Sequence, residues 1–251
     1  MAGHSKWAQI KRQKGVNDAK RGALFTRLTR EIMVAVRQGG PDPDANFRLR
    51  LAIQRAKQAN MPKENIERAI ANAMGHSEDS NLEEVYYEGY GPGGTAILVA
   101  ALTNNRNRTV AEVRHQFTKL GGSLGEAGSV SWQFEPMGIL TIPLAGRDPD
   151  EVALAAIDAG AKDVEVLGDV LEVRTEPSKL ESVRRALEEA GFEIENTDFS
   201  MVPKTTIQLD EKTAHQAMRL IESLEELEDV QRVYSNADFS DEAIASYAGS
   251  S

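Results

Sequence analysis

The chain has 251 residues, of which 41% are apolar and 27% are charged, and this composition is typical of a folded globular protein. It contains no cysteine, which excludes disulfide frameworks, thiolate zinc sites, iron–sulfur clusters and cysteine nucleophiles. The longest apolar run, at 96–102, is far shorter than the ~20 residues of a membrane span, and the basic N-terminus is not followed by the apolar stretch of a secretory signal. A cytoplasmic protein without a membrane partner is therefore expected.

The charge of the chain is divided unevenly along its length. Residues 1–80 carry 15 Lys and Arg against 8 Asp and Glu, whereas residues 81–251 carry 14 against 31. The formal net charge of −10 thus combines a basic segment with a strongly acidic body. Such an asymmetry is typical of a basic module that binds polyanions.

The basic segment is predicted to contain an arm and a helical domain. Residues 1–22 show no helical periodicity and are predicted to form a flexible basic arm. The apolar spacing then predicts a helical domain over residues 23–78, with Asp44 as the N-cap of its second helix. Its three amphipathic helices are predicted at 25–38, 45–60 and 62–74.

From Thr95 onward, short strands alternate with amphipathic helices. Strands are predicted at 95–102, 129–135, 138–143, 163–167, 170–174, 193–199, 205–209 and 230–235. Helices are predicted at 109–120, 149–159, 178–190 and 213–227, the first of them capped by Thr109. The order is read as βαββαβ, twice, which is typical of ferredoxin-like domains.

The two βαββαβ units fit either a tandem or a nested arrangement. The two-residue connection Gly168-Asp169 suits a tight hairpin, whereas prolines at 136 and 203 break the chain, so nesting is preferred. This predicts an α+β fold in which an N-terminal three-helix domain precedes two ferredoxin-like domains, the third domain inserted into the second. The second domain then covers 79–135 and 204–240, the inserted domain covers 136–203, and residues 241–251 form a frayed tail.

A serine hydrolase using Ser123 is a remote alternative, because residues 121–125 match the G-x-S-x-G motif and His215 lies downstream. That motif needs a strand before the serine and a helix after it, whereas here a predicted helix precedes it and a strand follows. The Gly-rich segment 86–94 is interpreted as a bend rather than a phosphate cradle, because it leads into a strand. The four histidines are scattered, so no catalytic residue, metal site, cofactor or small-molecule substrate is predicted.

Basic and aromatic residues of the arm and the first helix are candidate contacts to nucleic acid, since lysine and arginine bind phosphates and aromatic rings stack on bases. They are His4, Lys6, Trp7, Lys11, Arg12, Lys14, Lys20, Arg21, Arg27, Arg30 and Arg37. Arg30 and Arg37 are seven residues apart on one face of the first helix, and Arg48 and Arg55 repeat this spacing on the second.

A second candidate cluster precedes the helix predicted at 109–120. It consists of Asn105, Arg106, Asn107 and Arg108. It is interpreted either as an anion site at the helix N-terminus or as a plain capping loop.

Several blocks of the sequence resemble the signature segments of the YebC/PmpR family, which includes the mitochondrial translational activator of cytochrome c oxidase. The blocks are MAGHSKWAQIKRQKGVNDAKRGALFTRLTREI, NMPKENIERAI, YEGYGPGG, LTNNRNRTVAEVRHQFTKLGG and GSVSWQF. The resemblance extends from Met1 to about residue 240. It implies three domains, with the third inserted into the second, and a protein without catalytic activity.

The resemblance implies two kinds of partner, because family members are described as DNA-binding transcriptional regulators and as ribosome-associated factors that help translation. A basic arm contacts the phosphates of DNA and RNA alike. The sequence shows no helix-turn-helix with a clear recognition helix, which slightly favours ribosomal RNA and the ribosome over promoter DNA. A non-enzymatic, nucleic-acid-binding regulator of gene expression is therefore expected, acting in translation or, alternatively, in transcription.

Overall fold

The computed structural model describes the backbone of residues 18–75 and 82–249, and within these ranges the side chains from residue 22 onward. The described chain divides into two compact units. One is the continuous segment Gln133–Lys204, and the other, called here the larger unit, is formed by the described residues before and after that segment. Both units contain helices and strands, so the predicted α+β class is confirmed.

The helices are, in chain order, α1 (Asp18–Gly39), α2 (Phe47–Gln58), α3 (Lys63–Met74), α4 (Arg106–Lys119), α5 (Pro149–Asp158), α6 (Leu180–Glu189), α7 (Glu211–Glu225) and α8 (Asp241–Gly249). The strands are β1 (Glu83–Tyr90), β2 (Ala96–Thr103), β3 (Ser123–Leu124), β4 (Phe134–Pro143), β5 (Asp163–Leu167), β6 (Val170–Thr175), β7 (Asn196–Pro203), β8 (Ile207–Gln208), β9 (Val230–Ser235) and β10 (Ala237–Asp238). Within the described ranges the strands join in the orders β3-β1-β2-β9, β10-β8 and β5-β6-β4-β7.

Helix α1 begins at Asp18, so the prediction that residues 1–22 form a flexible arm is wrong for residues 18–22. This first turn carries no apolar stripe that periodicity can detect. Asp18 nevertheless lies where a negative charge stabilises a helix N-terminus, and alanine, lysine and arginine are good helix formers. The rest of the predicted arm, residues 1–17, lies outside the described residues.

Helices α1, α2 and α3 share an apolar core, in which Ile32 and Leu49 are fully buried. The N-cap of α2 is Asn46 and not the predicted Asp44. The Asn46 Oδ1 accepts from the Leu49 amide at 3.1 Å, and its Nδ2 donates to the Ala35 carbonyl at 2.8 Å. A side-chain amide can accept and donate at once, which an aspartate carboxylate cannot do.

Strand β1, at 83–90, was not predicted, and its second half lies in the segment that was interpreted as a bend. It pairs antiparallel with β2 along its whole length, from Glu83 opposite Thr103 to Tyr90 opposite Ala96. The strand was missed because three of its eight residues are glutamate, which is depleted in strands. The Gly-rich segment after it is the hairpin loop, which turns at two glycines with φ of 73° and 74° that side chains disfavour.

The element order of the larger unit differs from the predicted βαββαβ pattern, because β1 and β2 form a hairpin ahead of α4. Helices α4 and α7 pack together on one face of the sheet, around Phe117 and Leu220. The strands predicted at 129–135 and 138–143 form one strand, β4, which begins only at Phe134 because Ser131–Gln133 forms a 3₁₀ turn. Pro136 pairs with Met201 inside this strand, so the predicted break of the chain at Pro136 is wrong.

The segment Gln133–Lys204 has the order β4-α5-β5-β6-α6-β7, with antiparallel neighbours throughout its sheet. This is the ferredoxin-like βαββαβ arrangement that the sequence predicted. The predicted hairpin between β5 and β6 is confirmed by the pairing of Leu167 with Val170. The division into three domains at the boundaries given above stays a prediction.

The segment Asp241–Gly249 forms α8, so the predicted frayed tail is wrong here. Ala243, Ile244 and Tyr247 are buried in the core of the larger unit. The Tyr247 hydroxyl donates to Glu222 Oε2 of α7 at 2.6 Å. Most residues of this segment have small or polar side chains. The three buried side chains nevertheless lie on one face of the helix, and this face packs against the core.

Helices α1 and α2 contact the face of the sheet that lies opposite α4 and α7. Tyr87 of β1 packs into the core beneath α4, and because side chains alternate along a strand, Glu84 points to the other face. There Glu84 pairs with Arg48 of α2 at 3.3 Å. Arg30 of α1 pairs with Asp229, just ahead of β9, at 2.9 Å. The larger unit is therefore layered, with helices on both sides of one antiparallel sheet.

Candidate nucleic-acid interface

The candidate contacts fall into a part that the structure describes and a part that it does not. The residues outside the described ranges are His4, Lys6, Trp7, Lys11, Arg12 and Lys14. Lys20 and Arg21 lie near the start of α1, where only the backbone is described. The geometry of the candidate site therefore comes from the rest of α1 and from the N-terminus of α4.

Arg30 is engaged by carboxylates of the same chain. Its Nη1 donates to Asp229 Oδ1 at 2.9 Å, and its Nη2 donates to Glu228 Oε1 at 2.8 Å. Its Nη1 also reaches the Glu228 carbonyl at 2.9 Å. This position of α1 was expected to contact phosphates, but Arg30 instead pairs with the acidic residues 228 and 229. Arg30 therefore anchors α1 to the segment before β9.

Arg27 and Arg37 are each partly buried. Burial lowers the pKa of Arg27, and the negative charges of Glu225 and Glu226 at the end of α7 oppose this effect. Arg37 lies in the last turn of α1, where a positive charge stabilises the helix end. A role of these two residues in binding nucleic acid stays a prediction.

The arginines of α2 are also used within the chain. Arg55 donates to Glu31 of α1, and both side chains are largely buried. Burial lowers the pKa of Arg55 to about 10; the positive charge of Arg232 adds to this effect, and Glu31 opposes it. Part of the positive charge of residues 1–80 thus compensates carboxylates of the protein itself.

Asp229 is the carboxylate that joins α1 to α4. It is 1% exposed, and its Oδ2 accepts from Arg108 Nη2 and from Thr109 Oγ1, each at 2.7 Å, while Oδ1 accepts from Arg30. Burial alone would raise the pKa of Asp229. The hydrogen bonds from Arg108 and Thr109 and the charges of Arg108 and Arg30 outweigh burial and hold the pKa below its usual value. Nothing in the sequence distinguishes Asp229 from its neighbours, because it is one of several acidic residues in the segment 225–229.

Residues 106–108 form the first turn of α4 and not a loop ahead of it. Asn105 is the N-cap, and its Oδ1 accepts from the Arg108 amide at 3.1 Å. The predicted cap, Thr109, lies inside the helix and is fully buried. The helix starts earlier than predicted because asparagine caps at least as well as threonine.

The first turn of α4 is the described place where predicted contact residues come together. The Arg106 side chain is 65% exposed, and its Nε donates to the exposed Glu83 at 2.6 Å. Asn107 is exposed, and the Arg108 side chain is 45% exposed despite its bond to Asp229. A helix N-terminus adds backbone amides and a partial positive charge. This combination of groups suits an anion such as a phosphate.

Arg106 and Arg108 are expected to respond differently to substitution by alanine. Arg106→Ala should change the free energy of unfolding by no more than about 0.5 kcal/mol, because the residue is exposed. Arg108→Ala should cost roughly 1–3 kcal/mol, because it leaves the buried Asp229 with fewer donors. Urea unfolding of both variants measures the difference, and equal losses of stability would contradict the assignment of Arg108 to the Asp229 site.

Glu88 of β1 holds the loop that precedes β4. Its carboxylate accepts from the amides of Gly128 at 2.8 Å and of Val130 and Ser131 at 2.7 Å. Burial alone would raise the pKa of Glu88, but the three amide hydrogen bonds outweigh it and hold the pKa below its usual value.

The contribution of Glu88 to stability is expected to depend on pH. A carboxylate whose pKa is lower in the folded state stabilises the fold above its unfolded pKa of about 4.3, and this stabilisation is lost as the pH falls through the folded value. Glu88→Gln should therefore be less stable than the parent at pH 7, with a difference that shrinks below about pH 4. Urea midpoints across this range test it, with the exposed Glu126→Gln of the same loop as the control. A difference that stays constant with pH would contradict the role given to the Glu88 carboxylate.

The groups suggested for a serine hydrolase are not arranged as a nucleophile elbow. Ser123 lies in β3, opposite Tyr90 of β1, after the end of α4. The His215 Nε2 lies 2.8 Å from Ser246 Oγ and 3.1 Å from the Ala243 carbonyl, so its contacts are with α8. The strand–serine–helix order that the elbow requires is not formed at Ser123.

Within residues 18–75 and 82–249, no group of three or more histidine, aspartate or glutamate side chains is placed to hold a metal ion. Over the same residues, no helix combines the length and the apolar character needed to cross a membrane.

Comparison with known proteins extends over nearly the whole chain. Residues 5–76 match the family model described as the TACO1/YebC protein N-terminal domain, and residues 82–237 match the one described as the TACO1/YebC second and third domain. A probable transcriptional regulatory protein of Thermomicrobium roseum is 55% identical over 240 residues, which are 95% of this chain and 97% of the relative. One of Chloroflexus aurantiacus is 55% identical over 250 residues, which are 98% of this chain and 99% of the relative.

A solved structure supports the same relationship. The crystal structure of a conserved hypothetical protein from Aquifex aeolicus is 48% identical, with a TM-score of 0.82, over 89% of this chain and 93% of that one. The names of the two relatives are those of regulators, which are not a class of enzyme. The resemblance found in the signature blocks is thus confirmed, and the chain belongs to the TACO1/YebC family.

Proposed function

We propose that this chain is a non-enzymatic regulator of gene expression that binds nucleic acid. The observation that carries the proposal is the first turn of α4, where Arg106, Asn107 and Arg108 are exposed at a positively polarised helix end. The N-terminal segment supplies further cations for phosphates, at Lys6, Lys11, Arg12 and Lys14.

Transcription is the process that the relatives favour. Both bacterial relatives are named probable transcriptional regulatory proteins. These names support DNA as the partner of this chain, and they do not support the preference for a ribosome-associated role that the sequence analysis expressed. We therefore propose a regulator of transcription that binds promoter DNA.

A second candidate, contact with ribosomal RNA, is favoured by one structural observation. Direct readout of a duplex is commonly made by an exposed helix or a two-stranded β-ribbon in the major groove. In the described part of the chain, the arginines Arg30 and Arg55 face carboxylates of the protein, and the exposed side of α3 includes Glu64 and Glu67. Irregular RNA is recognised without a groove-reading helix.

The two partners are separated by crosslinking the full-length protein in cells and sequencing the bound nucleic acid. Enrichment of promoter DNA, with a preference of ~10³ or more for the enriched duplex over a scrambled one in vitro, is expected for a transcriptional regulator. Enrichment of ribosomal RNA, with salt-sensitive sedimentation with ribosomes, would replace this proposal by the second candidate. Arg106→Ala should reduce the recovery of nucleic acid in either case, and Lys63→Ala, an exposed cation of α3, is the matched control.

The non-enzymatic part of the proposal is tested at Ser123. Ser123→Ala should leave function in cells unchanged, because the serine lies in a short edge strand and not at a strand-to-helix elbow. Hydrolysis of simple esters by the parent protein, lost in Ser123→Ala, would contradict the proposal. Urea unfolding of the variant provides the control for folding.

A further inference from the structure

Two aromatic side chains, Trp132 and Tyr90, stand out as exposed at one edge of the larger unit. The Trp132 side chain is 66% exposed and that of Tyr90 is 38% exposed. They come from different elements, since Tyr90 ends β1 and Trp132 follows the loop held by Glu88. Large aromatic groups that are exposed next to each other often mark a binding site.

The polar atoms of both rings are directed at one backbone carbonyl. The Tyr90 hydroxyl donates to the Ser129 carbonyl at 2.9 Å, and the Trp132 Nε1 donates to the same oxygen at 3.1 Å. The indole N–H is the only donor of tryptophan, so it is committed within the protein. What the two rings offer to the outside is therefore mainly apolar ring surface.

The loop that precedes Trp132 is held in place by the end of β1. Three of its amides are bound by the buried Glu88 carboxylate, and the Gly125 amide donates to the Glu88 carbonyl at 2.7 Å. Val130 of the same loop is fully buried. Because the loop is already ordered, a ligand that stacks on the rings would lose little binding energy to ordering the protein.

We propose that Trp132 and Tyr90 form a stacking site for an unpaired base of a single-stranded nucleic acid. The proposal rests on the nucleic-acid binding of the proposed function, and it adds a site distinct from the first turn of α4. Every base has a flat π-face, so a rigid aromatic surface binds bases without selecting their sequence. Contacts of this kind require no hydrogen bond from the indole, which is consistent with its commitment to Ser129.

A proline-rich peptide is the other ligand that aromatic surfaces commonly bind, and the geometry favours it less. The backbone of an extended proline-rich segment has no internal hydrogen bonds, so carbonyls that lose water on binding are best satisfied by donors of the protein. The Trp132 Nε1 and the Tyr90 hydroxyl already donate to Ser129. Stacking on a base keeps these two hydrogen bonds, whereas donation to a peptide would break them.

The test uses tryptophan fluorescence in the full-length protein. The chain has two tryptophans, so Trp7→Phe leaves Trp132 as the only indole. Titration with an oligothymidylate of about twelve nucleotides should quench this fluorescence, because the site stacks a base. An oligomer of the same length with abasic sugars, which offers the same phosphates, should bind through the cations without quenching.

Variants at the two positions measure the contribution to affinity. Trp132→Ala should weaken binding of the oligothymidylate about tenfold, and Trp132→Phe should restore part of it, because phenylalanine keeps a ring to stack. Tyr86→Ala is the matched control, because this exposed tyrosine of β1 lies near Glu84 and not on the Ser129 carbonyl. Each variant is checked by urea unfolding, and Trp132→Ala should keep the parent's midpoint because its side chain is exposed.

The outcomes distinguish the site from the proposed function. Binding of the oligothymidylate with unchanged fluorescence and equal affinity of Trp132→Ala would overturn the stacking site and leave nucleic-acid binding intact. No binding of any oligonucleotide or duplex would overturn both. Quenching by a proline-rich peptide but not by the oligothymidylate would overturn the base-stacking proposal in favour of a peptide ligand.

Discussion

Asp229→Ala is expected to lower the free energy of unfolding by about 3–5 kcal/mol, the cost of removing one partner from a buried ion pair. The substitution leaves Arg30 without its buried carboxylate and removes the acceptor of the Thr109 hydroxyl. It also frees Arg108 at the first turn of α4. Chemical denaturation in urea, followed by circular dichroism, measures the loss.

Glu228→Ala is the matched control, because Glu228 precedes Asp229 and pairs with the same arginine. The Glu228 side chain is 67% exposed, and exposed pairs contribute about 0–1 kcal/mol. Asp229→Asn provides a second variant that keeps the shape of the side chain. If Asp229→Ala and Glu228→Ala lost the same amount of stability, the central role given to the buried carboxylate would be wrong.

Deletion of residues 1–17 is expected to weaken nucleic-acid binding at least tenfold and to flatten its dependence on salt. Each lost phosphate contact lowers the slope of log K against log salt by about 0.9 for duplex DNA and about 0.7 for a single strand. The deletion ends before Asp18, because α1 begins there. Affinities measured at several salt concentrations give the slope.

The deletion shortens the protein and also removes cations, so a control must separate these two effects. A full-length variant with Lys6, Lys11, Arg12 and Lys14 changed to glutamine keeps the length and removes four cations. It should reproduce most of the change in slope, and its urea midpoint should equal that of the parent. An unchanged slope in both proteins would show that the N-terminal cations do not contact the phosphates, and the first turn of α4 would be the next candidate.

Asp229 also gives a physical link between the two basic parts of the proposed interface. Its Oδ1 holds Arg30 of α1, which carries the N-terminal segment, and its Oδ2 holds Arg108 of α4. One buried carboxylate thus contacts both α1 and the first turn of α4. Asp229→Asn should therefore weaken binding of nucleic acid even at temperatures where the protein remains folded.

The sequence by itself determined the local structure and the relationship to other proteins. Apolar spacing predicted α3 and α7 to within a few residues. The two-residue hairpin between β5 and β6 and the family resemblance were also evident. These signals depend on neighbours only a few residues apart, so they can be read without the fold.

The tertiary structure alone decided which charges remain available for a partner. Arg30 was expected to contact phosphates, but it pairs with Asp229, which is 199 residues away in the sequence. No local sequence pattern indicates such a pair. Strand β1 and helix α8, which their composition does not favour, also depend on other segments: β1 is stabilised by its pairing with β2, and α8 by burial of Ile244 against α7. A side chain's charge is fixed by its residue type, whereas the group that compensates it is fixed by the packing of distant segments.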